Sequence, residues 1–175
     1  MASKYLFKMI LTGSGGAGKT SLLQRYTTNQ FTGSTKMTIG VDFAVHNVQL
    51  PGIGNITLQI WDFGGEQRFR SMLPGFCRGA AGALLIFSLV EPKSFLELEE
   101  WITIIRKNTN NIPVILVGAK KDLLDPCLPR EIPLDDITTF KDKHAMKDYI
   151  EISSKTGENV QDTFKKLAFF MAKKS

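Results

Sequence analysis

The sequence predicts an α/β fold: a mostly parallel sheet of six strands with one antiparallel edge strand, flanked by helices on both faces. Three observations predict it. Short apolar runs of strand character alternate with longer stretches of helical periodicity. A glycine-rich turn links the first strand directly to the first helix. Two further strands are separated only by Pro51-Gly52-Ile53-Gly54-Asn55, which marks an antiparallel hairpin.

The elements follow in order. Tyr5 to Leu11 reads as the first strand, and a helix runs from about Lys19 to Asn29 with Leu22, Leu23 and Tyr26 on one face. Phe31 to Gly40 has loop composition. Val41 to Leu50 and Ile56 to Trp61 form the hairpin, and Asp62 to Gly75 is a polar, glycine-containing segment expected to be mobile. Ala83 to Leu89 is a continuous apolar run of the kind found in central strands. Ser94-Phe95-Leu96-Glu97 fits a capping box, which predicts a helix from there to about Lys107. Pro113 to Gly118 reads as another buried strand. A loop with Pro126, Pro129 and Pro133 then leads to a helix near Asp135 to His144. Tyr149 to Ser153 is the last strand, and Asn159 is placed to cap a closing helix that buries Val160, Phe164, Leu167, Ala168 and Met171.

Length and composition bound the possibilities. A chain of 175 residues is expected to form one domain, spanning 1–175, that buries its core without metal or disulfide staples. Its two cysteines, Cys77 and Cys127, lie far apart and away from either histidine, so a zinc site or redox pair is not expected and reducing cytoplasm is. Net charge is +5, but the basic residues are scattered and interrupted by Glu97, Glu99, Glu100, Asp135 and Asp136. No arginine-rich arm or aromatic-basic platform marks a nucleic-acid binder. No apolar run approaches the ~20 residues of a membrane helix. His46 and His144 sit in no motif and read as ordinary satisfied or surface residues.

The strongest chemical signal is Gly13-Ser14-Gly15-Gly16-Ala17-Gly18-Lys19-Thr20, a G-x-x-x-x-G-K-[ST] pattern between a strand and a helix. Its glycines let main-chain N–H groups turn inward around phosphate oxygens, and the helix N-terminus adds partial positive charge. The nucleotide-binding set therefore starts with Ser14, Gly15, Gly16, Ala17, Gly18, Lys19, Thr20 and Ser21. Lys19 reaches the β- and γ-phosphates, and Thr20 offers a hydroxyl to Mg²⁺. Asp62, at the end of a strand, stands where a second acidic contact to Mg²⁺ belongs in a P-loop protein. Gly65 can approach a terminal phosphate through its N–H.

Beyond these residues the chain resembles a Ras-superfamily small GTPase, nearest the Rab branch. The likeness is carried by Thr38-Ile39-Gly40-Val41-Asp42-Phe43, by Trp61-Asp62-Phe63-Gly64-Gly65-Glu66-Gln67-Arg68-Phe69-Arg70, and by Arg78-Gly79-Ala80. It continues in Gly118-Ala119-Lys120-Lys121-Asp122-Leu123 and in Glu151-Ile152-Ser153-Ser154-Lys155-Thr156-Gly157-Glu158-Asn159-Val160. It implies a P-loop NTPase of the small G-domain type, binding GTP or GDP with Mg²⁺ as a molecular switch. Thr38 would join Thr20 and Asp62 at the metal in the triphosphate state only. Phe31 would meet the guanine edge-on. Asp122 would accept hydrogen bonds from the base, the stem of Lys120 would cover it, and the Ser153-Ser154-Lys155 backbone would read its carbonyl. Phe43, Trp61 and Phe76 match the aromatic triad that Rabs present to effectors, although core packing explains such residues equally well. An exchange factor and a GTPase-activating protein are the regulators the resemblance implies, acting on a monomer.

Three departures qualify this. Ala119 stands where the family has an Asn before Lys, which removes an amide worth about 0.5–1.5 kcal/mol. Glu66 stands where the family's water-orienting Gln belongs, with Gln67 beside it. A carboxylate only accepts hydrogen bonds, so Glu66 is either pushed off the phosphate or polarises the water as a base. The expected catalytic set is Glu66, Gly65, Lys19 and Thr38, with slow hydrolysis. The end, Met171-Ala172-Lys173-Lys174-Ser175, has no cysteine to prenylate and position two is not Gly, so no stable membrane anchor is expected, only transient visits to membrane surfaces. Two other readings stay open: a scaffold that holds nucleotide with negligible turnover, favoured by Ala119 and Glu66, and a different P-loop enzyme such as an ATPase or small-molecule kinase.

Overall fold

The computed structural model describes residues 5–33 and 38–175; part of the predicted Phe31–Gly40 loop lies outside the described residues. Strand β1 (Tyr5–Thr12) leads through the glycine-rich turn into α1 (Lys19–Thr28). The hairpin is β2 (Val41–Leu50) and β3 (Gly54–Phe63). A 3-10 turn (Gln67–Met72) and a short helix α2 (Leu73–Phe76) precede β4 (Ala80–Ser88). Helices α3 (Pro92–Leu96) and α4 (Leu98–Asn108), β5 (Val114–Ala119), α5 (Leu134–Lys143), β6 (Asp148–Glu151) and α6 (Val160–Lys174) complete the fold.

The sheet has six strands in the order β2-β3-β1-β4-β5-β6. Among the described residues only the β2–β3 pair is antiparallel. The hairpin register runs unbroken from Val41 opposite Phe63 to Leu50 opposite Gly54. That ladder explains why β3 is longer than its apolar run: pairing recruits Gly54 and Asn55 at one end and Asp62 and Phe63 at the other.

Alternation along the central strands divides the core between two faces. Met9, Leu11, Leu84 and Ile86 pack under α1 and α6, together with Leu22, Tyr26, Phe164 and Leu167. Ile10, Leu85 and Phe87 face α4 and α5, with Leu98, Trp101, Ile102, Ile105 and Ile137. Each such side chain removed from water contributes roughly 1.5–3 kcal/mol. Tyr26 stacks on Phe164 with centroids 3.7 Å apart, which fixes α1 against α6. Gly82 permits the close seat of α6 on β4, since a Cβ there would lie 2.8 Å from Met171.

Two local expectations need correcting. Ser94 does not cap a helix: Pro92 supplies the first helical position two residues earlier, and the chain breaks at Glu97 before α4 begins. The Ser94 hydroxyl instead accepts from the Ser88 N–H at 2.9 Å and donates to the Glu91 carbonyl at 2.7 Å, pinning the end of β4. Asn159 holds the N-cap position in the left-handed conformation, but its side-chain amide donates to the Glu151 carbonyl at 2.8 Å rather than capping α6. The segment Asp62 to Gly75 takes in the end of β3, the 3-10 turn and most of α2, with Leu73 fully buried. His46 packs on Tyr26, and the His144 ring meets Glu99 at 2.9 Å.

Candidate functional site

In a parallel sheet all strands point their C-terminal ends to one edge, and the loops leaving that edge form the crevice where ligands bind. Here the turn after β1, Asp62 in the last residues of β3, Lys120 after β5 and Ser153 after β6 meet there. A cavity of about 220 Å³ opens among them, lined by Gly15, Gly18, Lys19, Thr20, Thr38 and Lys120 together with Phe63, Gly65 and Glu66.

The turn after β1 is locked before any ligand arrives. Gly13 has φ +141°, and a Cβ on it would sit 2.1 Å from the Ile86 carbonyl, so only glycine fits. Lys19 curls back under the loop and its ammonium donates to the Gly13 carbonyl at 2.7 Å and the Ser14 carbonyl at 2.8 Å. It is 6% exposed. Burial brings its pKa down to about 8, partly offset by the charge of Asp62. A buried cation with no anion within ion-pair reach among the described residues, at the mouth of a nest of glycine N–H groups, is a site prepared for negative charge.

Three oxygens, from the start of α1, the end of β3 and the segment before β2, converge beside it. The Thr20 hydroxyl donates to Asp62 Oδ2 at 2.7 Å, the Thr20 and Thr38 hydroxyls are 2.6 Å apart, and the Thr38 hydroxyl lies 3.5 Å from the same carboxylate oxygen. Asp62 is fully buried, and its Oδ1 has no partner among the described residues. Burial pushes its pKa upward, against the hydrogen bond from Thr20 and the charge of Lys19. A hard, all-oxygen set with an unsatisfied buried carboxylate oxygen fits Mg²⁺, which keeps several waters and needs few protein ligands. The Thr38 segment is tied to the end of β3, where the Gly64 N–H donates to the Gly40 carbonyl at 2.7 Å.

Gly65 presses directly on the glycine-rich turn: a Cβ there would lie 2.2 Å from the Gly15 nitrogen. Glu66 lines the cavity, and its carboxylate pairs with Arg68 at 2.5 Å. At the other end, the Ser153 hydroxyl donates to Asp122 Oδ1 at 2.7 Å, and its oxygen accepts the Thr156 N–H at 3.1 Å. Lys120 is held at φ +66°, and the Lys121 N–H donates to the Ile152 carbonyl, fastening the β5 loop to the β6 loop. Ser154 is buried and Lys155 exposed. Phe31 is 39% exposed.

A sequence model of the Ras family matches residues 8–173. The chain is also 38% identical over 164 residues to the Ras-related protein Rab-11A of Dictyostelium discoideum, covering 93% of this chain and 74% of that protein. This chain belongs to the Ras family of small GTPases, in the Rab branch. GTP binding and hydrolase chemistry, with Mg²⁺, come with that membership in general.

Against the family pattern, the structure gives Ala119 a definite setting. It is 2% exposed, and its methyl group faces Gly18 across a gap that a Cβ on Gly18 would narrow to 3.4 Å. The contact between the β5 loop and the glycine-rich turn is therefore apolar, with no amide to bridge it. The aromatics Phe43, Trp61 and Phe76 do come together, with centroids 5.2 Å apart for the first pair and 5.6 Å for the second. Phe43 is 48% exposed, so this cluster is reachable from outside rather than core alone.

Sequence reasoning missed a polar clasp behind the cavity. The Ser14 hydroxyl donates to Glu97, Arg70 donates to Glu97 at 3.0 Å and also to Glu100, and the guanidinium lies over the Trp101 ring. The clasp joins the glycine-rich turn, the 3-10 turn and α4. The signal was an acidic residue read as part of a capping box, and an Arg three residues beyond Gln67 with no role given to it. Arg25 was missed too: it donates to the Thr156 carbonyl at 3.2 Å and braces the β6 loop from α1.

Proposed function

We propose that this chain is a guanine-nucleotide switch that binds GTP and GDP with Mg²⁺ and hydrolyses GTP slowly, its state read by effectors on the face of Phe43, Trp61 and Phe76. The observation that carries the reading is the convergence of Thr20, Thr38 and Asp62 beside the buried Lys19. Thr20, Thr38 and Asp62 would hold the ion, which would supply charge compensation to the phosphates when bound. The N–H groups of Gly15 to Thr20 cradle the phosphates, and Lys19 exchanges its two carbonyl partners for phosphate oxygens. Gly65 offers its N–H to the terminal phosphate. Glu66 leaves Arg68 to accept a proton from the attacking water. Asp122, oriented by Ser153, accepts from the two donors on the guanine edge, with Lys120 and Phe31 flanking the base and Ser153, Ser154 and Lys155 meeting its carbonyl. Thr38 reports the terminal phosphate: when it leaves, Thr38 loses a partner and its segment is released.

A second reading has its own observation. With Glu66 tied to Arg68 and Ala119 apolar, the chain would hold nucleotide as a scaffold with negligible turnover. Effectors, an exchange factor and an activating protein are expected partners in either case. Among the described residues no helix is long and apolar enough to cross a membrane. The test is competition of GTP and ATP for the purified protein, with Lys19→Ala and Thr20→Asn as site variants. The proposal expects GTP to win strongly and both variants to lose triphosphate binding. Equal competition by ATP, or unchanged GTP affinity in both variants, refutes it.

A further inference from the structure

A second cleft lies at the opposite end of the sheet from the nucleotide crevice, where the loops enter β5 and β6. It has a volume of about 400 Å³ and is walled by Pro113 and Phe170. Four cations from three parts of the chain border it: Arg106 from α4, Lys147 from the loop before β6, and Lys173 and Lys174 from the end of α6. Among the described residues no acidic side chain lines it.

Two features characterise this gathering of cations. First, none of the four has a carboxylate partner among the described residues, so four uncompensated charges share one concave site. Second, two are fixed in place by main-chain carbonyls that carry no net charge. Arg106 donates to the Ile112 carbonyl at 2.7 Å and the His144 carbonyl at 3.0 Å, and Lys174 donates to the carbonyls of Asn110 and Asn111. Arg106 has five N–H donors and uses two in this way, so its fork retains donors for a ligand. Partial burial of its guanidinium lowers its pKa, and no neighbouring anion offsets that cost. An immobilised Arg beside three lysines, in a concave site free of carboxylates, is suited to a doubly charged tetrahedral anion.

We propose that this cleft binds a phosphate monoester, carried either by a lipid headgroup or by a soluble molecule, through Arg106, Lys147, Lys173 and Lys174. The site is independent of the nucleotide crevice. It differs from the general attraction of a basic chain to anionic surfaces because Lys165, Lys166 and the other surface cations take no part.

The test uses the full chain loaded with GDP at physiological salt. The probes are free inositol trisphosphate, neutral vesicles carrying a little phosphatidylinositol bisphosphate, and vesicles carrying phosphatidylserine at matched surface charge. Saturable binding is expected with the free headgroup, the phosphoinositide vesicles or both, and which of them binds identifies the source of the phosphate. Lys147→Glu with Lys173→Glu should weaken it at least about tenfold. Lys165→Glu with Arg78→Glu, the same charge change outside the cleft, should weaken it less than about threefold. Both double variants should retain GDP and their circular dichroism spectrum, which keeps a lost anion site distinct from a lost nucleotide site or fold. The proposal is overturned if neither phosphate probe binds saturably, if the two double variants lose binding equally, or if phosphatidylserine vesicles bind as tightly as phosphoinositide vesicles.

Discussion

Replacing Gly65 by Ala should cripple hydrolysis while sparing GDP binding. A Cβ on Gly65 would stand 2.2 Å from the Gly15 nitrogen, 2.3 Å from the Ser14 carbonyl carbon and 2.6 Å from the Gly13 oxygen. Ordinary carbon contacts begin near 3.4 Å. All three obstacles are main-chain atoms, and their loop cannot yield, because Gly13 is wedged against the Ile86 carbonyl and held from below by Lys19. Gly65 must therefore withdraw by about 1 Å, a displacement that costs roughly 10²-fold when it misplaces a catalytic contact. The loop carrying Gly65 is only partly buried, so the strain is relieved by its movement and the loss of stability falls at the low end of the roughly 1–3 kcal/mol typical of overpacking. Single-turnover phosphate release from GTP-loaded protein should fall about 100-fold. GDP affinity by fluorescence titration should stay near the parent value, since the diphosphate does not reach Gly65. A variant that hydrolyses GTP at the parent rate would refute the placement of Gly65 against the terminal phosphate, and one that loses GDP and GTP alike would show that the clash damages the cradle itself.

Asp122→Asn should abolish the preference for guanine over adenine, because the amide cannot accept from both guanine donors; competition titration checks it, and retained selectivity would exclude Asp122 as the reader. Glu66→Ala should lower single-turnover hydrolysis at least about tenfold if Glu66 faces the water. Arg68→Ala should raise the rate no more than about fivefold, because an exposed ion pair holds Glu66 back by only ~1 kcal/mol. Lys19 gives a pH signature: its pKa near 8 without nucleotide rises when phosphate charge arrives, so binding takes up protons. At pH 8.5 the uptake from Lys19 should be about 0.8 proton, falling to about 0.1 at pH 7, where Lys19 is already charged. Calorimetry of GDP binding in buffers of different ionisation enthalpy measures it, and uptake that does not rise with pH would contradict the shifted lysine.

Much of this architecture is legible in the residues because local and global preferences agree. The apolar run of β4, the glycine-rich turn and the short Pro- and Gly-containing hairpin connection each point to one arrangement, and the structure adopts it, with the connection shortened to residues 51–53. Where the sequence misleads, a distant partner decides. Ser94 and Glu97 have capping-box spacing, but Pro92 begins the helix earlier, which frees Ser94 to hold β4 and Glu97 to reach Ser14 and Arg70. The same holds at the site. Gly13 to Thr20 is a local pattern, whereas the meeting of Thr38 with Asp62 depends on the hairpin register, and the position of Ala119 against Gly18 depends on strand order. The cleft of Arg106, Lys147, Lys173 and Lys174 gathers residues scattered over 69 positions, so no linear motif announces it.

The measurement that bears most directly on the switch is a single-turnover time course of GTP-loaded protein with Mg²⁺, with the bound nucleotide identified by chromatography after denaturation at each point. The account predicts that guanine nucleotide alone is recovered, that GTP converts to GDP in a slow first-order decay, and that chelating Mg²⁺ stops the decay and loosens the nucleotide. Recovery of adenine nucleotide, or GTP that stays intact for as long as the protein remains folded, would contradict it.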